Sequence, residues 1–198
     1  MWLDGRICEP TIMKVYKGAK IGRLIALGGE HVVYAYGTDQ VIKFSLLFYF
    51  LGHRALAKAE RDIELCSKYF SDYFLETDIL ISANGKHLVH VQEKIEGRPL
   101  TVNDVRDMTI RKQFDEIVVG YRSLIRAGHP EIDLIGRTGF FGSCFSNIFV
   151  TPQHTLVIID GTLWEATGFL RPLVSLIRTI AIWRQDMVLK EFTSSVSP

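Results

Sequence analysis

The stretches Ser146-Asn147-Ile148-Phe149-Val150 and Val157-Ile158-Ile159-Asp160-Gly161 decide the fold prediction for this chain. Two short apolar runs within them flank the turn-type sequence Thr151-Pro152-Gln153-His154 and predict a β-hairpin. Antiparallel pairing would bring Asn147 and Asp160 together at its open end. An amide oxygen and a carboxylate placed there suit a hard divalent cation such as Mg²⁺. A simpler interpretation, that both residues only begin and end strands, stays open for the hairpin taken alone.

Length and composition indicate a globular protein. The chain has 198 residues, of which 47% are hydrophobic, enough to bury a sizeable core as one unit or as two small lobes. Its net charge of +1 gives no broad electrostatic surface for nucleic acid, so no nucleic-acid partner is expected.

Cysteine use and hydropathy favour a cytoplasmic protein without a membrane span. The three cysteines are far apart and lack the spacing of a zinc site, so reduced thiols are expected: Cys8, Cys66 and Cys144. The N-terminus lacks the basic start and apolar stretch of a secretory signal. The apolar run 44–51 is too short to span a bilayer, and arginines interrupt the run 168–183.

The first hundred residues predict a mostly β lobe with one helix. Glycine-containing turns separate strand-like apolar runs, and Ala, Lys, Glu and Leu at spacings of three and four indicate an amphipathic helix. An Asn-Gly turn at 84–85 predicts a further hairpin. The predicted strands are 21–27, 31–36, 41–45, 79–82 and 87–92, and the predicted helix is 53–70.

The second half predicts a mainly helical lobe. The sequence Glu96-Gly97-Arg98-Pro99 is the best linker candidate because Gly and Pro interrupt regular structure. We therefore predict domains at 1–96 and 97–198. An apolar stripe predicts a helix over 102–127, and a second helix is predicted over 163–192 with a break near Pro172.

Lys43 lies in the apolar strand sequence Val41-Ile42-Lys43-Phe44. An embedded lysine needs an anionic partner or a path to water. Glu60 in the following helix is the candidate partner, with Glu64 one turn further on. A strand lysine that reaches solvent is the alternative, and it stays open at this point.

These residues follow one another in an order that resembles the protein-kinase-like superfamily, which includes protein kinases and the phosphotransferases for aminoglycosides and choline. The resemblance covers about residues 21–165 and depends on order and spacing. The residues and segments that carry it are Gly28, Gly29, Val33, Lys43, Glu60, 92–97, Asn147 and Asp160. It implies an α+β, two-lobed fold with a mostly antiparallel β N-terminal lobe and a shortened, mainly helical C-terminal lobe.

The resemblance also implies cofactors and roles, with ATP and Mg²⁺ as the expected ligands. Gly28 and Gly29 look like a shortened glycine-rich loop, and Val33 like the residue that covers adenine. Lys43 would bind the phosphates and Glu60 would be its helix partner. The hinge facing adenine would include Glu93 and Ile95. Asn147 and Asp160 would be the magnesium ligands.

Two departures from the family pattern matter. The catalytic aspartate of the family stands five residues before the asparagine, and that position here is Gly142. Asp133 lies further upstream and would replace it only if the intervening loop folded back, which is not expected. Asp160 is followed by Gly161-Thr162 instead of Phe-Gly, and no Ala-Pro-Glu motif follows it, so regulation by activation-loop phosphorylation is not expected.

Three functional hypotheses follow. The first is a kinase-like protein that binds ATP and magnesium and transfers the γ-phosphoryl group to an unknown acceptor. The second is an inactive pseudokinase that acts as a nucleotide-responsive or structural interaction module with a protein partner, which the residue at Gly142 favours. The third is an unrelated α+β domain whose matches arise by chance.

Overall fold

The computed structural model describes residues 20–27, 31–45, 53–81, 88–136, 142–163 and 171–194. The chain divides into two compact units: Met1–Ile63 with Glu76–Ile95, and Glu64–Leu75 with Glu96–Pro198. The predicted domain boundary after residue 96 lies beside the division after Ile95. The structure in addition groups residues 64–75 with the second unit.

The first unit contains a five-stranded antiparallel sheet in the order β1-β2-β3-β5-β4. Its strands and helix lie close to the predicted ranges. They are β1 (Ile21–Leu27), β2 (His31–Tyr36), β3 (Gln40–Ser45), α1 (His53–Tyr69), β4 (Thr77–Ile81) and β5 (Leu88–Glu93). The division between the units falls within α1.

The two faces of this sheet differ in what they bury. Because side chains alternate along a strand, residues paired across strands share one face. One face carries an apolar cluster of Tyr36, Ile42, Leu80, Val89 and Val91. The opposite face carries Leu88, which clusters with Ala55 of α1, and also the paired residues Val33 and Lys43.

The second unit combines a three-stranded antiparallel sheet, in the order β6-β7-β8, with helices. Apolar side chains from α1, α2, α3 and the sheet form its core, which includes Phe114, Phe145 and Phe192. Asp107 caps α2 by accepting hydrogen bonds from the N–H groups of Thr109 and Ile110. Its elements are β6 (Arg98–Thr101), a 3₁₀ helix (Asp104–Arg106), α2 (Met108–Arg126), β7 (Cys144–Val150), β8 (Leu156–Ile158) and α3 (Arg171–Ser194).

Three sequence predictions in this unit were wrong. The helix predicted over 102–127 begins at Met108, because the backbone of its cap Asp107 is extended, and a 3₁₀ helix over Asp104–Arg106 precedes it. Arg98 and Pro99, predicted as linker, pair with Val150 and Phe149 of β7. Proline is tolerated there because β6 is an edge strand, where a missing N–H leaves no gap in the ladder. Leu163, predicted as helical, forms a bridge with Ile132.

The predicted break near Pro172 corresponds to the beginning of α3. Helix α3 starts at Arg171, so Pro172 lies in its first turn, where its missing N–H costs no helical hydrogen bond. Residues 164–170 of the predicted helix lie outside the described residues.

No helix in the described part of the chain combines the length and the apolar character that crossing a bilayer requires.

Candidate functional site

Lys43 of the first unit is withdrawn from water. Its side chain is 7% exposed, and its direct cross-strand neighbours are Val33 on β2 and His90 on β5. Val33 therefore shares a sheet face with the lysine, as the predicted roles of these two residues require. The structure does not support the interpretation of Lys43 as a strand lysine that reaches solvent.

Glu60, the predicted partner of Lys43, is exposed on α1. The buried carboxylate of that helix is Asp62, which is 4% exposed and forms ion pairs with Lys58 and Arg61. An ion pair between Lys43 and Glu60 is not found among the described residues, so this pairing remains a prediction.

Of the four remaining predicted nucleotide-binding positions, the structure describes two. Glu93 is the exposed last residue of β5, and Ile95 lies half-buried at the end of the first unit. The N–H of Lys94, between them, donates a hydrogen bond to Asp39 O at 2.7 Å. Gly28 and Gly29 lie outside the described residues.

In the second unit the hairpin is present, as predicted. Ile148 pairs with Ile158, and the N–H of Ile159 donates to Asn147 O at 2.9 Å. Asn147 therefore stands opposite Ile159, and Asp160 follows directly. The Asp160 carboxylate accepts hydrogen bonds from Thr162 N at 3.2 Å and from Thr162 Oγ1 at 2.9 Å, which fix its orientation.

Asp133 joins this pair, so the expectation that the intervening loop does not fold back was wrong. Asn147 Nδ2 donates to Asp133 O at 2.8 Å, and Asp133 N donates to Thr162 O at 3.0 Å. Asp133 thus lies beside both Asn147 and the Asp160 segment although it precedes Asn147 by 14 positions. We refer to Asp133, Asn147 and Asp160 as the acidic cluster.

A tight turn at Gly136 follows Asp133. Gly136 N donates to Asp133 Oδ1 at 2.9 Å, and Ser146 N donates to Ile135 O at 3.1 Å. Gly136 has φ +56°, and a Cβ atom placed on it would lie 2.7 Å from Asn147 Oδ1. Glycine is required here both for the backbone conformation and for the space beside the asparagine.

The environment of Asp133 favours its protonated form. Burial, together with the smaller effect of the nearby Asp160 carboxylate, raises the pKa of Asp133 to about 6, although the hydrogen bond from Gly136 N acts in the opposite direction. A carboxylate with a pKa near neutrality can both accept and release a proton at physiological pH. Perturbed carboxylates of this kind concentrate at functional sites.

The donors of the acidic cluster fit magnesium better than a soft metal. Because Asn147 Nδ2 is used in the bond to Asp133 O, the orientation of the amide is set and its acceptor is Oδ1. Amide and carboxylate oxygens are hard donors, and Mg²⁺ usually binds one or two carboxylates together with phosphate and water. Within the described residues, no group of three or more His, Cys, Asp and Glu side chains is placed to hold a metal ion.

Sequence reasoning missed two members of this site, Thr162 and Gln185, and it named Asp133 but set it aside because the segment before Asn147 would have to fold back. Gln185 Oε1 accepts from Leu134 N at 2.8 Å, next to Asp133. The sequence feature that could have revealed Gln185 is its position as a polar residue on the apolar stripe of α3, at helical spacing from Ala181 and Val188. Asp133 also carried a signal, because a lone carboxylate between Ile132 and Leu134 needs a special environment.

Comparison with known proteins shows the fold. No protein-family model and no curated protein matches the sequence. Among solved structures, PpkA-294 in its apo form matches with a TM-score of 0.51 and 13% identity, over 82% of this chain and 64% of that one. The Legionella pneumophila kinase Lpg2603 bound to IP6 matches with a TM-score of 0.52 and 19% identity, over 89% of this chain and 60% of that one. The Mycobacterium tuberculosis PknI kinase domain matches with a TM-score of 0.51 and 13% identity, over 80% of this chain and 64% of that one.

These comparisons and the antiparallel sheet of the first unit establish a protein-kinase-like α+β fold. The resemblance predicted from residue order is therefore confirmed at the level of the fold. This chain spans less than two thirds of the length of each of the three structures.

Proposed function

We propose that this protein binds ATP with magnesium and transfers the γ-phosphoryl group to an acceptor whose proton Asp133 accepts. The observation that carries the proposal is the placement of Asp133 beside Asn147 and Asp160 in a kinase-like fold. Catalysis of phosphoryl transfer consists mostly of positioning and charge neutralisation, for which these residue types are suited. The glycine at position 142 then no longer argues for loss of the proton acceptor.

Each residue type matches its proposed role. Lys43 binds phosphate oxygens, since a buried ammonium group favours an anionic partner. The Asn147 amide and the Asp160 carboxylate hold the magnesium ion, which neutralises phosphate charge when bound. Asp133 orients the acceptor hydroxyl group and takes its proton. The proposed adenine-side positions are Gly28, Gly29, Val33, Glu93 and Ile95.

A second candidate function is a pseudokinase that binds nucleotide or a protein partner without turnover. The exposed position of Glu60 supports it, because active protein kinases require an ion pair between the strand lysine and a helix glutamate. Retention of Lys43 together with the acidic cluster supports at least nucleotide binding in either case.

A thermal-shift titration with ATP, with and without Mg²⁺, tests ligand binding. A ligand that binds only the folded state raises the melting temperature by mass action, and a concentration of 100 times Kd stabilises by about 2.7 kcal/mol. We expect a shift that requires magnesium and that D160N abolishes. Inositol hexakisphosphate is the control for binding of any polyanion, and an equal shift without magnesium would contradict an ATP site.

Turnover separates the two candidates. Incubation with γ-labelled ATP and no added acceptor measures hydrolysis and autophosphorylation together. We expect release or transfer of label that D133N removes while the magnesium-dependent thermal shift remains. A magnesium-dependent shift with no turnover in the wild-type protein would establish the pseudokinase, and absence of both would reject ATP as the ligand.

A further inference from the structure

Helix α3 places an uncharged polar side chain, Gln185, in the apolar core of the second unit. Gln185 is 1% exposed and lies in a helical stripe with Ala181, Val188 and Phe192, which are all buried. A buried amide is retained without penalty only where its donors and acceptors are used. Its hydrogen-bond partners therefore indicate what it contributes.

Three hydrogen bonds join Gln185 to backbone groups of the segment that carries Asp133. Gln185 also interacts with Tyr121: burial raises the pKa of that tyrosine to about 12, and the side chain of Gln185 acts in the opposite direction. Gln185 Oε1 accepts from Leu134 N at 2.8 Å and from Ile135 N at 3.3 Å. Gln185 Nε2 donates to Ile132 O at 3.0 Å. One side chain thus holds the peptide groups on both sides of Asp133.

The preceding residue of α3 reaches the other end of the same loop. Arg184 donates from its guanidinium group to Gly142 O at 2.7 Å. Gly142 lies shortly before β7, which begins at Cys144 and contains Asn147. Two neighbouring residues of one helix therefore contact the loop after Asp133 and again before Asn147.

We propose that Gln185 is a positioning residue that, together with Arg184, anchors the described residues at both ends of the segment between Asp133 and Asn147 and so holds the acidic cluster in place. The physical reason for the proposal is the separation of Asp133 and Asn147 along the chain. In the family pattern the two residues are five positions apart, so little conformational entropy is lost when they are brought together. A separation of 14 positions between Asp133 and Asn147 costs more conformational entropy. Fixed anchor points on a rigid helix offset that cost.

The anchoring acts on geometry that the loop alone does not determine. Contacts within the loop, such as Asn147 N donating to Leu134 O at 3.2 Å, join its ends to each other. The Asp133 N–H also donates to Thr162 O at 3.0 Å, and Asn147 lies in β7, so the joined ends contact the hairpin segment as well. The bonds from α3 attach them in addition to a helix of the core. This proposal rests on the proposed function only for its catalytic consequence.

Amide hydrogen exchange of the 198-residue chain, measured by NMR, tests the anchor without any assay of activity. In the wild-type protein we expect the Leu134 amide to exchange as slowly as core amides of α3, because its bond to Gln185 is buried. Q185L removes the acceptor, and we expect at least tenfold faster exchange at Leu134. Fast exchange at Leu134 in the wild-type protein would overturn the proposal before any variant is made.

V188A is the matched control, because Val188 is fully buried on the same helix and makes no hydrogen bond to the loop with its side chain. It should lower the melting temperature but leave the Leu134 amide protected relative to neighbouring core amides. Equal acceleration in V188A and Q185L would show that exchange follows general stability, and would reject a specific anchor.

Two further variants keep the test decisive if Q185L does not fold. Q185E retains an acceptor oxygen, so Leu134 should exchange more slowly than in Q185L. R184A removes the second anchor, and we expect faster exchange at Ser146, whose N–H bonds to Ile135 O at 3.1 Å, with little change at Leu134. A reversed or uniform pattern would contradict the two-anchor arrangement.

Kinetics then connect the anchor to the proposed function. If phosphoryl transfer occurs, Q185L should lower kcat by at least tenfold with KM for ATP nearly unchanged, because Gln185 acts through Asp133. V188A should change neither. A wild-type protein without turnover would contradict the proposed function but leave the exchange test of the anchor intact.

Discussion

Lys43 is buried and Asp133 is half-buried, and the chain builds the surroundings of these two ionisable groups in different ways. Lys43 stands in the middle of β3, and its neighbours Val33 and His90 follow from strand register. Asp133 lies in an irregular segment, and it accepts hydrogen bonds from Asn147 and Gly136, while the N–H of Leu134 beside it donates to Gln185.

This difference indicates how each region responds to substitution. A sheet register is shared among many backbone hydrogen bonds, so one side-chain change in β3 should leave the strand in place. The acidic cluster depends on a few specific contacts, each made by one residue. We therefore expect structural sensitivity at the cluster and mainly ligand-binding effects at Lys43.

The largest expected effect is on turnover at the cluster. D133N keeps an acceptor for Gly136 N but removes the base, so phosphoryl transfer should fall by about 10²- to 10⁴-fold, equivalent to about 3–5 kcal/mol of barrier. Initial rates with labelled ATP measure it. D186N, a change of an exposed aspartate on α3, is the control and should retain the wild-type rate. An unchanged rate in D133N would remove Asp133 from the mechanism.

The next effect is on stability, at the turn that follows Asp133. G136A places a Cβ in a left-handed conformation and against Ser146 Oγ at 2.6 Å, and should cost about 3 kcal/mol of unfolding free energy. G128A is the matched control, because Gly128 has φ +80° but no atom within 4 Å of its added Cβ. It should cost only about 1 kcal/mol. Urea unfolding compares them, and equal costs would contradict crowding at the cluster.

A smaller effect is expected in the pH dependence of stability. Burial raises the pKa of Asp133 from 3.8 to about 6, so between these values the folded state binds the proton more tightly than the unfolded state. Stability contributed by the protonated carboxyl group is present below pH 4 and is lost as pH rises through 6. We expect the free energy of unfolding to fall by about 2 kcal/mol. This is less than the value of about 3 kcal/mol that the full pKa difference would give, because the side chain is only partly buried.

Urea unfolding at pH 4 and at pH 7 checks this expectation against D133N, which has no carboxyl group to ionise. D133N should gain stability relative to the wild-type protein at pH 7 and not at pH 4. The same difference between the two proteins at both pH values would contradict the raised pKa.

The smallest effect separates ligand binding from structure at Lys43. K43M should weaken binding of magnesium ATP at least tenfold, about 1.4 kcal/mol, because a phosphate contact is lost. The melting temperature without ligand is measured beside it, so that a loss of affinity is distinguished from a loss of folded protein. Calorimetric titration measures the affinity, with K20M at an exposed lysine as control. Unchanged affinity in K43M would exclude the lysine from the nucleotide site.

Several parts of the fold were predictable because they depend on neighbours in sequence. The apolar runs of β2 and β3 between glycine-containing turns, and the amphipathic pattern of α1, gave their bounds to within about one residue. The hairpin of β7 and β8 followed from two apolar runs around a turn, which placed Asn147 near Asp160. For Arg98 and Pro99 the same local rules failed, because an edge strand accepts proline when a partner strand from elsewhere in the chain is available.

The sequence by itself determined the kinase-like order of elements and the chemical identity of the site residues, because residue type and short-range period are properties of the chain. Only the tertiary structure decided that Asp133 joins Asn147 and Asp160. That outcome depends on contacts from Gly136 and from Gln185 of α3, which lies about fifty positions further along the chain. Hydrogen bonds over such separations leave no periodic signal, since they are set by which buried groups must find partners once the core has formed.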